Sequence, residues 1–90
     1  MLTWERDREG GHEVQRGLFL GQALYQISRA ADGRWHVYFR GESLAQSNHT
    51  RRGQHYQRIR KLKEAAEAHF TRTFVPKLLA VVRGTRGGRP

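Results

Sequence analysis

Alternating apolar and polar residues in the first half of the chain predict β-strands. From Trp35 to Phe39 the alternation is strict, so Trp35, Val37 and Phe39 are expected on one face of a strand. Asp32-Gly33, a favoured two-residue hairpin turn, comes just before this segment. The apolar-rich residues 22–29 come before the turn, so the two segments are expected to pair as a hairpin.

Two further segments are expected to extend this hairpin into a sheet. Gly10-Gly11 predicts a tight reversal, because glycine adopts the positive φ that such turns need, between a short strand at Trp4 and a return arm at residues 12–15. Residues 41–46 are expected to add a strand on the other side. The pattern therefore predicts an antiparallel sheet of three to four strands.

The second half of the chain shows helical spacing. Ile59, Leu62, Ala66, Phe70 and Thr73 recur at three- and four-residue steps, which predicts one main helix packed across the sheet. Pro76 is expected to interrupt it, and residues 77–82 could form a short second helix or an edge strand. Together these elements predict an α+β protein, with a single domain over residues 1–82 and a flexible basic tail over 83–90.

Length and charge limit the possible functions. Ninety residues allow one small domain, and the net charge is +9. Residues 1–45 hold six basic and six acidic side chains, so the whole surplus lies in residues 46–90. Arg outnumbers Lys 14 to 3, which suits contacts to phosphate and guanine but also fits a GC-rich coding bias. This asymmetry favours a polyanionic partner.

Several kinds of site are disfavoured by the sequence. The chain has no cysteine, which excludes disulfides and thiolate ligands and fits a cytoplasmic location. The five histidines lack the spacing that places two ligands on one helix face, and no carboxylate pair lies near them in sequence. We therefore expect no metal, no cofactor and no enzymatic activity. The longest apolar run, residues 78–82, is too short to span a membrane, so no membrane partner is expected.

Two groups of residues are candidates for nucleic-acid contacts. The first is the polar face of the predicted strand, where guanidinium, imidazole and phenol groups recur every second residue: Arg34, His36, Tyr38 and Arg40. The second is the basic and aromatic segment before and within the helix start: Arg51, Arg52, His55, Tyr56, Arg58 and Lys61. The alternatives are a solvated strand face and a solubilising loop.

Other basic residues are weaker candidates. Within the helix, Arg60 and Lys63 each have a glutamate four residues later, so their charges are expected to be partly neutralised and the helix to act mainly as scaffold. The terminal Arg-Gly repeats resemble RNA-binding segments of that type, but they lack aromatic residues and are also common in unstructured tails.

The segment from Asp32 to Gly41, then Leu44, and then the run from Lys63 to Phe70 resembles the hairpin and helix of small proteins from phages and mobile elements. It also distantly resembles the three-stranded AP2-like module of phage integrases and plant regulators, over about forty residues. That resemblance implies a sheet laid on DNA, with Arg34, His36, Tyr38 and Arg40 facing it. Residues 47–58 depart from it, because the module has a short turn there.

Two functions follow as hypotheses. The first is a non-catalytic nucleic-acid-binding protein of phage or mobile-element type, for either DNA or RNA in single- or double-stranded form, since phosphate attraction and base stacking use the same residue types. The second is a small inhibitor, such as an anti-CRISPR protein or a polymerase inhibitor, that binds a host protein or ribonucleoprotein complex. A continuous positive groove favours the first, and an exposed apolar anchor with a polar rim favours the second. The oligomeric state is left open.

Overall fold

The computed structural model describes residues 1–47 and 54–87. Five antiparallel strands are hydrogen-bonded in chain order as one sheet, and a long helical segment follows them. The strands are β1 (Thr3–Glu9), β2 (His12–Phe19), β3 (Gln22–Arg29), β4 (Trp35–Phe39) and β5 (Glu42–Gln46). The helical segment comprises α1 (His55–His69), a π-turn (Phe70–Phe74) and α2 (Val75–Gly87). The α+β class is confirmed.

The sheet has one strand more than the upper end of our prediction, because β1 and β2 form a full hairpin of seven and eight residues. The charged residues after Trp4 had suggested only a short strand. In the structure they are accommodated on an exposed edge strand, where cross-strand ion pairs hold them. Arg6 lies 3.4 Å from Glu13, and Arg16 binds both Asp7 and Glu9.

Most of the strands are joined by tight turns whose central residues have positive φ. Gly10-Gly11, Leu20-Gly21 and Arg40-Gly41 all have this conformation, which matches the right-handed twist of a hairpin. The connection between β3 and β4 differs from the predicted two-residue turn. The Ala30 amide donates to the Arg34 carbonyl at 2.8 Å, so the loop between these two residues spans three residues. Inside the loop the Gly33 amide donates to the Ala30 carbonyl at 3.0 Å, and Gly33 has φ +81°.

The helical segment passes through Pro76 rather than ending there. A proline has no amide hydrogen, and its ring clashes with the carbonyl four residues earlier in a regular α-helix. The π-turn relieves this conflict just before the proline, since the Val75 amide donates to Phe70, five residues back. Of the two alternatives for residues 77–82, the structure has the helix.

The core lies between one face of the sheet and α1. Ile27 and Val37 are fully buried in the sheet, and Leu62 and Ala66 cover them from α1. At the far end, the ring of Phe19 lies 5.0 Å from that of Phe70 and 5.8 Å from that of Phe74. The predicted helical stripe is confirmed up to Phe70, whereas Thr73 is only half-buried.

The end of the chain is described up to Gly87. Helix α2 continues to Gly87, although we placed the start of a flexible tail at residue 83. Residues 88–90 lie outside the described residues. The division into a domain over 1–82 and a tail over 83–90 stays a prediction.

Candidate nucleic-acid interface

The face of β4 that points away from the helix carries His36 and Tyr38 of the first predicted group. The rings of His36 and Tyr38 are stacked, with centroids 5.7 Å apart and an angle of 22°. His36 is held from both sides, because its Nε2 lies 3.0 Å from Asp32 Oδ2 and its Nδ1 lies 2.8 Å from Ser43 Oγ. The pKa of the Asp32 carboxyl is below its ordinary value, first because the Arg34 amide donates to it and then because His36 does. The imidazole is therefore fixed against Tyr38.

Asp32, His36 and Ser43 are also the residue types of a serine hydrolase triad. In that triad the imidazole faces the nucleophile with Nε2 and the carboxylate with Nδ1. Here the two nitrogens are exchanged, since Ser43 is at Nδ1 and Asp32 is at Nε2. We interpret the three side chains as a support for the stacked rings, and the absence of enzymatic activity stays a prediction.

An open hollow of about 410 Å³ lies beside Tyr38 on the same outer face. Its polar lining residues are Arg16, Gln26, Ser28, Tyr38 and Arg40. The positive charge of Arg16 is offset, because its guanidinium lies 2.7 Å from Asp7 and also binds Glu9. Arg40 is at the edge of the face, with its guanidinium carbon 5.1 Å from the centroid of the Phe39 ring. The outer face is thus polar and has an aromatic surface, but carries little net positive charge.

The start of α1 brings together part of the second predicted group. The His55 ring lies 5.0 Å from the Trp35 ring, and its Nε2 lies 3.1 Å from Glu13 Oε1. The Arg58 guanidinium lies 5.9 Å from the Trp35 ring centroid. Burial alone would raise the pKa of Glu13, but hydrogen bonds from Gln15 and His55 and nearby positive charge lower it overall. His55 and Arg58 therefore join α1 to the sheet, and Arg58 also adds positive charge.

The solvent-facing side of the first turns of α1 carries two more residues of this group, Tyr56 and Lys61. Tyr56 is 75% exposed, so its ring is available for stacking on a base. Lys61 and Arg60 both lie 3.9 Å from the carboxylate of Glu64, which is exposed. Exposed pairs at this separation contribute little energy, and one carboxylate cannot neutralise two cations. The helix face therefore remains positive near its N-terminus.

A groove of about 330 Å³ runs between this part of α1 and the first hairpin. Its lining residues are Arg6, Glu13, Gln15, His55, Tyr56, Ile59, Arg60 and Lys63. Lys63 extends over the first hairpin, and its ammonium lies 5.5 Å from the Trp4 ring centroid. Apart from Glu13, every charged or ionisable side chain in this lining is a cation, a histidine or a tyrosine.

Three of the groove residues were missed by sequence reasoning. Arg60 and Lys63 had been assigned to scaffold because a glutamate follows each of them by four residues. Arg6 had been part of a charged run with no assigned role. The available signal was the helical period, since residues 56, 60 and 63 recur at three- and four-residue steps and therefore share one face.

The net charge of the protein comes from the helical half. Residues 1–46 contain six basic and six acidic side chains and are neutral overall. Residues 55–87 contain eight basic and two acidic side chains, a net charge of +6. The charge asymmetry of the sequence thus becomes an asymmetry between the sheet and the helix.

The ten predicted residues do not form one surface. Arg34, His36, Tyr38 and Arg40 belong to β4 and its two ends, and the His36–Tyr38 stack lies on the face opposite α1. The predicted residues of α1 lie on the helix side of the sheet. Arg51 and Arg52 lie outside the described residues. We therefore distinguish the outer sheet face from the helix-side surface, which consists of Arg6, Tyr56, Arg60, Lys61 and Lys63.

The described residues contain neither a cluster of metal ligands nor a helix that could span a membrane. In residues 1–47 and 54–87, no group of three or more His, Cys, Asp or Glu side chains could hold a metal ion. Within the same part of the chain, the helices are too short or too polar to cross a membrane.

Comparisons with known proteins add no relative to this description. The chain matches no protein-family model, no curated protein and no solved structure. The resemblance to phage proteins and to the AP2-like module therefore rests on the residues quoted for it, and it stays a prediction.

Proposed function

We propose that the protein is a non-catalytic nucleic-acid-binding protein, and that the helix-side surface is its interface. The observation that carries the proposal is the position of the positive charge. The sheet is neutral overall, whereas the exposed face of α1 combines Tyr56, Arg60 and Lys61 beside a groove lined by further cations. Basic side chains interleaved with an exposed aromatic ring are typical of surfaces that bind nucleic acid.

Phosphate contacts are assigned to the cations of the helix. Arg60 and Lys61 lie one residue apart on the solvent side, and Lys63 lies at the groove. The start of α1 adds to their effect, because its first turn has no acidic residue and Gln54 makes no capping side-chain hydrogen bond. Arg51 and Arg52 precede this end of the helix in the chain, and we include them in the proposed interface.

Tyr56 is proposed to contact bases. Its exposed ring lies one helical turn before Arg60, so a nucleic-acid strand whose phosphates contact Arg60 could place a base on the Tyr56 ring. Stacking of this kind requires an unpaired base, whereas phosphate contacts are available in duplexes as well. The outer sheet face has the stacked rings of His36 and Tyr38 but little net positive charge, so we propose no primary role for it.

The test is fluorescence anisotropy with labelled duplex DNA, single-stranded DNA and RNA at low and near-physiological salt, with heparin as a polyanion control. If about six cations contact phosphates, the log–log salt slope on duplex DNA is about −5. The variant Arg60→Gln/Lys61→Gln should reduce the magnitude of that slope by about 2 and weaken binding similarly on unrelated sequences. Arg51→Ala/Arg52→Ala should act in the same direction.

The matched control removes two exposed cations elsewhere. Lys77→Gln/Arg83→Gln, on α2, lowers the net charge by the same amount but leaves the helix-side surface intact. We expect this control to retain most of the affinity. Equal losses in the two double variants, or equal binding to heparin and to every nucleic acid, would mean a generally sticky basic protein and would refute the proposal. An Arg34→Gln/Arg40→Gln variant that loses more affinity than Arg60→Gln/Lys61→Gln would move the interface to the outer sheet face.

A further inference from the structure

The apolar stripe that α1 packs on the sheet continues on α2, where Leu78 lines an open hollow of about 310 Å³ together with Phe39 at the end of β4. α1 packs on β3, β4 and β5, whereas α2 packs mainly on the π-turn before it. The protein accordingly measures 59 Å along its longest axis and 23 and 21 Å along the others. On this projecting helix Leu78, Leu79 and Val82 are 39%, 48% and 46% exposed. A helix that is apolar over such a sector is usually covered by another element.

A second exposed leucine marks the same end of the protein. Leu20 is 86% exposed at the tip of the β2–β3 turn, next to Phe19, whose ring contacts Phe74. Its φ is +52°, in the left-handed region that is unfavourable for a side chain of this size. A large apolar side chain in that conformation at an exposed turn contributes nothing to the core. Leu20 is therefore a further exposed apolar side chain outside α2.

The charges around this surface restrict what can cover it. Lys77 and Arg83 are exposed and flank the apolar residues on α2, and the sequence has no acidic residue after Glu67. Pairing of two α2 helices would bring these cations together without a carboxylate from either helix, which disfavours a second copy. Charge complementarity requires acidic groups on the covering surface.

We propose that α2 docks into an apolar groove, rimmed by carboxylates, on a partner protein. Leu78 and Leu79 with Val82 have the three- and four-residue spacing of helix-in-groove anchors. Lys77 and Arg83 would pair with carboxylates at the two ends of the groove. A protein of this kind is the partner that the inhibitor hypothesis requires.

The apolar run favours a protein groove over a lipid surface because it is short. Residues 78–82 cover only about 7.5 Å of helix at 1.5 Å per residue. Binding of an amphipathic helix to a membrane grows with the apolar area that it inserts, so a patch of this size gives weak attachment. A closed groove buries the same side chains more completely and orients the flanking ion pairs.

The test uses a synthetic two-helix peptide in which leucines line the groove between the helices and glutamates line both edges of that groove. A second peptide has lysine in place of glutamate, and both carry fluorescein for anisotropy. We expect the protein to bind the glutamate peptide but not the lysine peptide. The Leu79→Ser/Val82→Ser variant should bind the glutamate peptide at least about tenfold more weakly, as is usual when anchor residues are removed. Lys77→Gln/Arg83→Gln should weaken binding and reduce its salt dependence. Leu44→Ser, which removes an exposed leucine on β5, is the matched control and should bind as the wild type does.

Two further measurements distinguish the other possible occupants. Sedimentation that shows a dimer in the wild-type protein but not in Leu79→Ser/Val82→Ser would assign the surface to a second copy. Binding to phosphatidylglycerol vesicles that exceeds peptide binding, and is lost in that variant, would assign it to lipid. Either result would overturn the proposal, as would equal binding of the two peptides or binding of neither. Circular dichroism of each variant checks that it is folded.

This proposal is independent of nucleic-acid binding. Leu79→Ser/Val82→Ser should leave the affinity for nucleic acid unchanged, and Arg60→Gln/Lys61→Gln should leave peptide binding unchanged. The failure of one assignment therefore leaves the other intact.

Discussion

Gly17→Ala is expected to destabilise the protein by forcing Trp4 away from β2. A Cβ added at Gly17 would lie 2.9 Å from Trp4 Cη2, 3.1 Å from Cζ3 and 3.2 Å from Cζ2. Favourable carbon contacts lie at about 3.5–4.0 Å, so the ring must move by about 0.5 Å or more. Lys63 lies over the same ring, 5.5 Å from its centroid, and would have to adjust with it.

The expected magnitude is about 1–3 kcal/mol of unfolding free energy, the usual range for overpacking. An alanine in a strand otherwise gains about 0.5–1 kcal/mol over glycine, and this gain opposes the loss. A net loss of about 1 kcal/mol lowers the Tm of a domain of this size by about 4–8 °C. Urea denaturation followed by tryptophan fluorescence, together with thermal melts by circular dichroism, measures both quantities.

A double-mutant cycle with Trp4→Leu tests the cause of the effect. Leucine has no atoms where the six-membered part of the indole approaches Gly17. The penalty for Gly17→Ala should therefore become smaller in the Trp4→Leu background, with a coupling of about 1 kcal/mol or more. If Gly17→Ala is neutral or stabilising in the wild type, or if the two substitutions are additive, the reasoning about this contact is wrong.

Two further predictions concern His69 and Leu20. The pKa of His69 is below its ordinary value, first because the side chain is partly buried and second because Lys77 is positively charged. The Nδ1 atom of His69 lies 2.8 Å from the hydroxyl of Tyr25. Burial and the charge of Glu67 raise the pKa of Tyr25 to about 12. The imidazole of His69 therefore binds a proton more readily in the unfolded chain than in the folded protein. The free energy of unfolding should be highest above pH about 6.5 and should decrease as the pH falls from 6.5 toward the lower pKa of the folded protein. Urea denaturation between pH 7.5 and 5.5 should show this loss, and His69→Gln should flatten it; an equal slope in the variant contradicts the assignment. Leu20→Gly should raise the unfolding free energy by up to about 1 kcal/mol, because glycine adopts φ +52° without strain, and a lower Tm in thermal melts would show instead that the exposed leucine contributes packing.

The sequence predicted the strand alternation and the helical stripe because both are local patterns of burial. Trp35, Val37 and Phe39 share the core face, and Ile59, Leu62 and Ala66 cover the sheet as their spacing indicated. The first hairpin was underestimated, because charged residues on an edge strand show no apolar alternation. Their stabilisation comes from ion pairs with the neighbouring strand, such as Arg16 with Asp7, and the chain order alone does not reveal those partners.

The candidate site could be predicted only in composition. The sequence located the positive charge in the second half and identified Tyr56 and Lys61. It placed His36 and Tyr38 on the polar face of the strand. It could not reveal that the imidazole is held against Tyr38 by Asp32 and Ser43, because Ser43 belongs to the neighbouring strand. It also missed Lys63, whose charge had been paired with Glu67 on helical spacing alone. In the structure the lysine extends over Trp4, a contact between residues 59 positions apart in the chain.

One continuous helical segment connects the two proposed binding surfaces. The proposed nucleic-acid surface occupies the first turns of α1, where Arg60 and Lys61 are exposed, and the proposed protein surface occupies α2 beyond the π-turn. Between the two surfaces, the helical segment is held on the sheet by three buried side chains, Leu62, Ala66 and Phe70. Pro76 is incompatible with a regular α-helix at this point, and the π-turn both removes that conflict and turns Phe70 and Phe74 toward Phe19. Because the helix is anchored at its middle and exposed at both ends, the two surfaces can be occupied at the same time, so a ternary complex with nucleic acid and a partner protein is sterically possible.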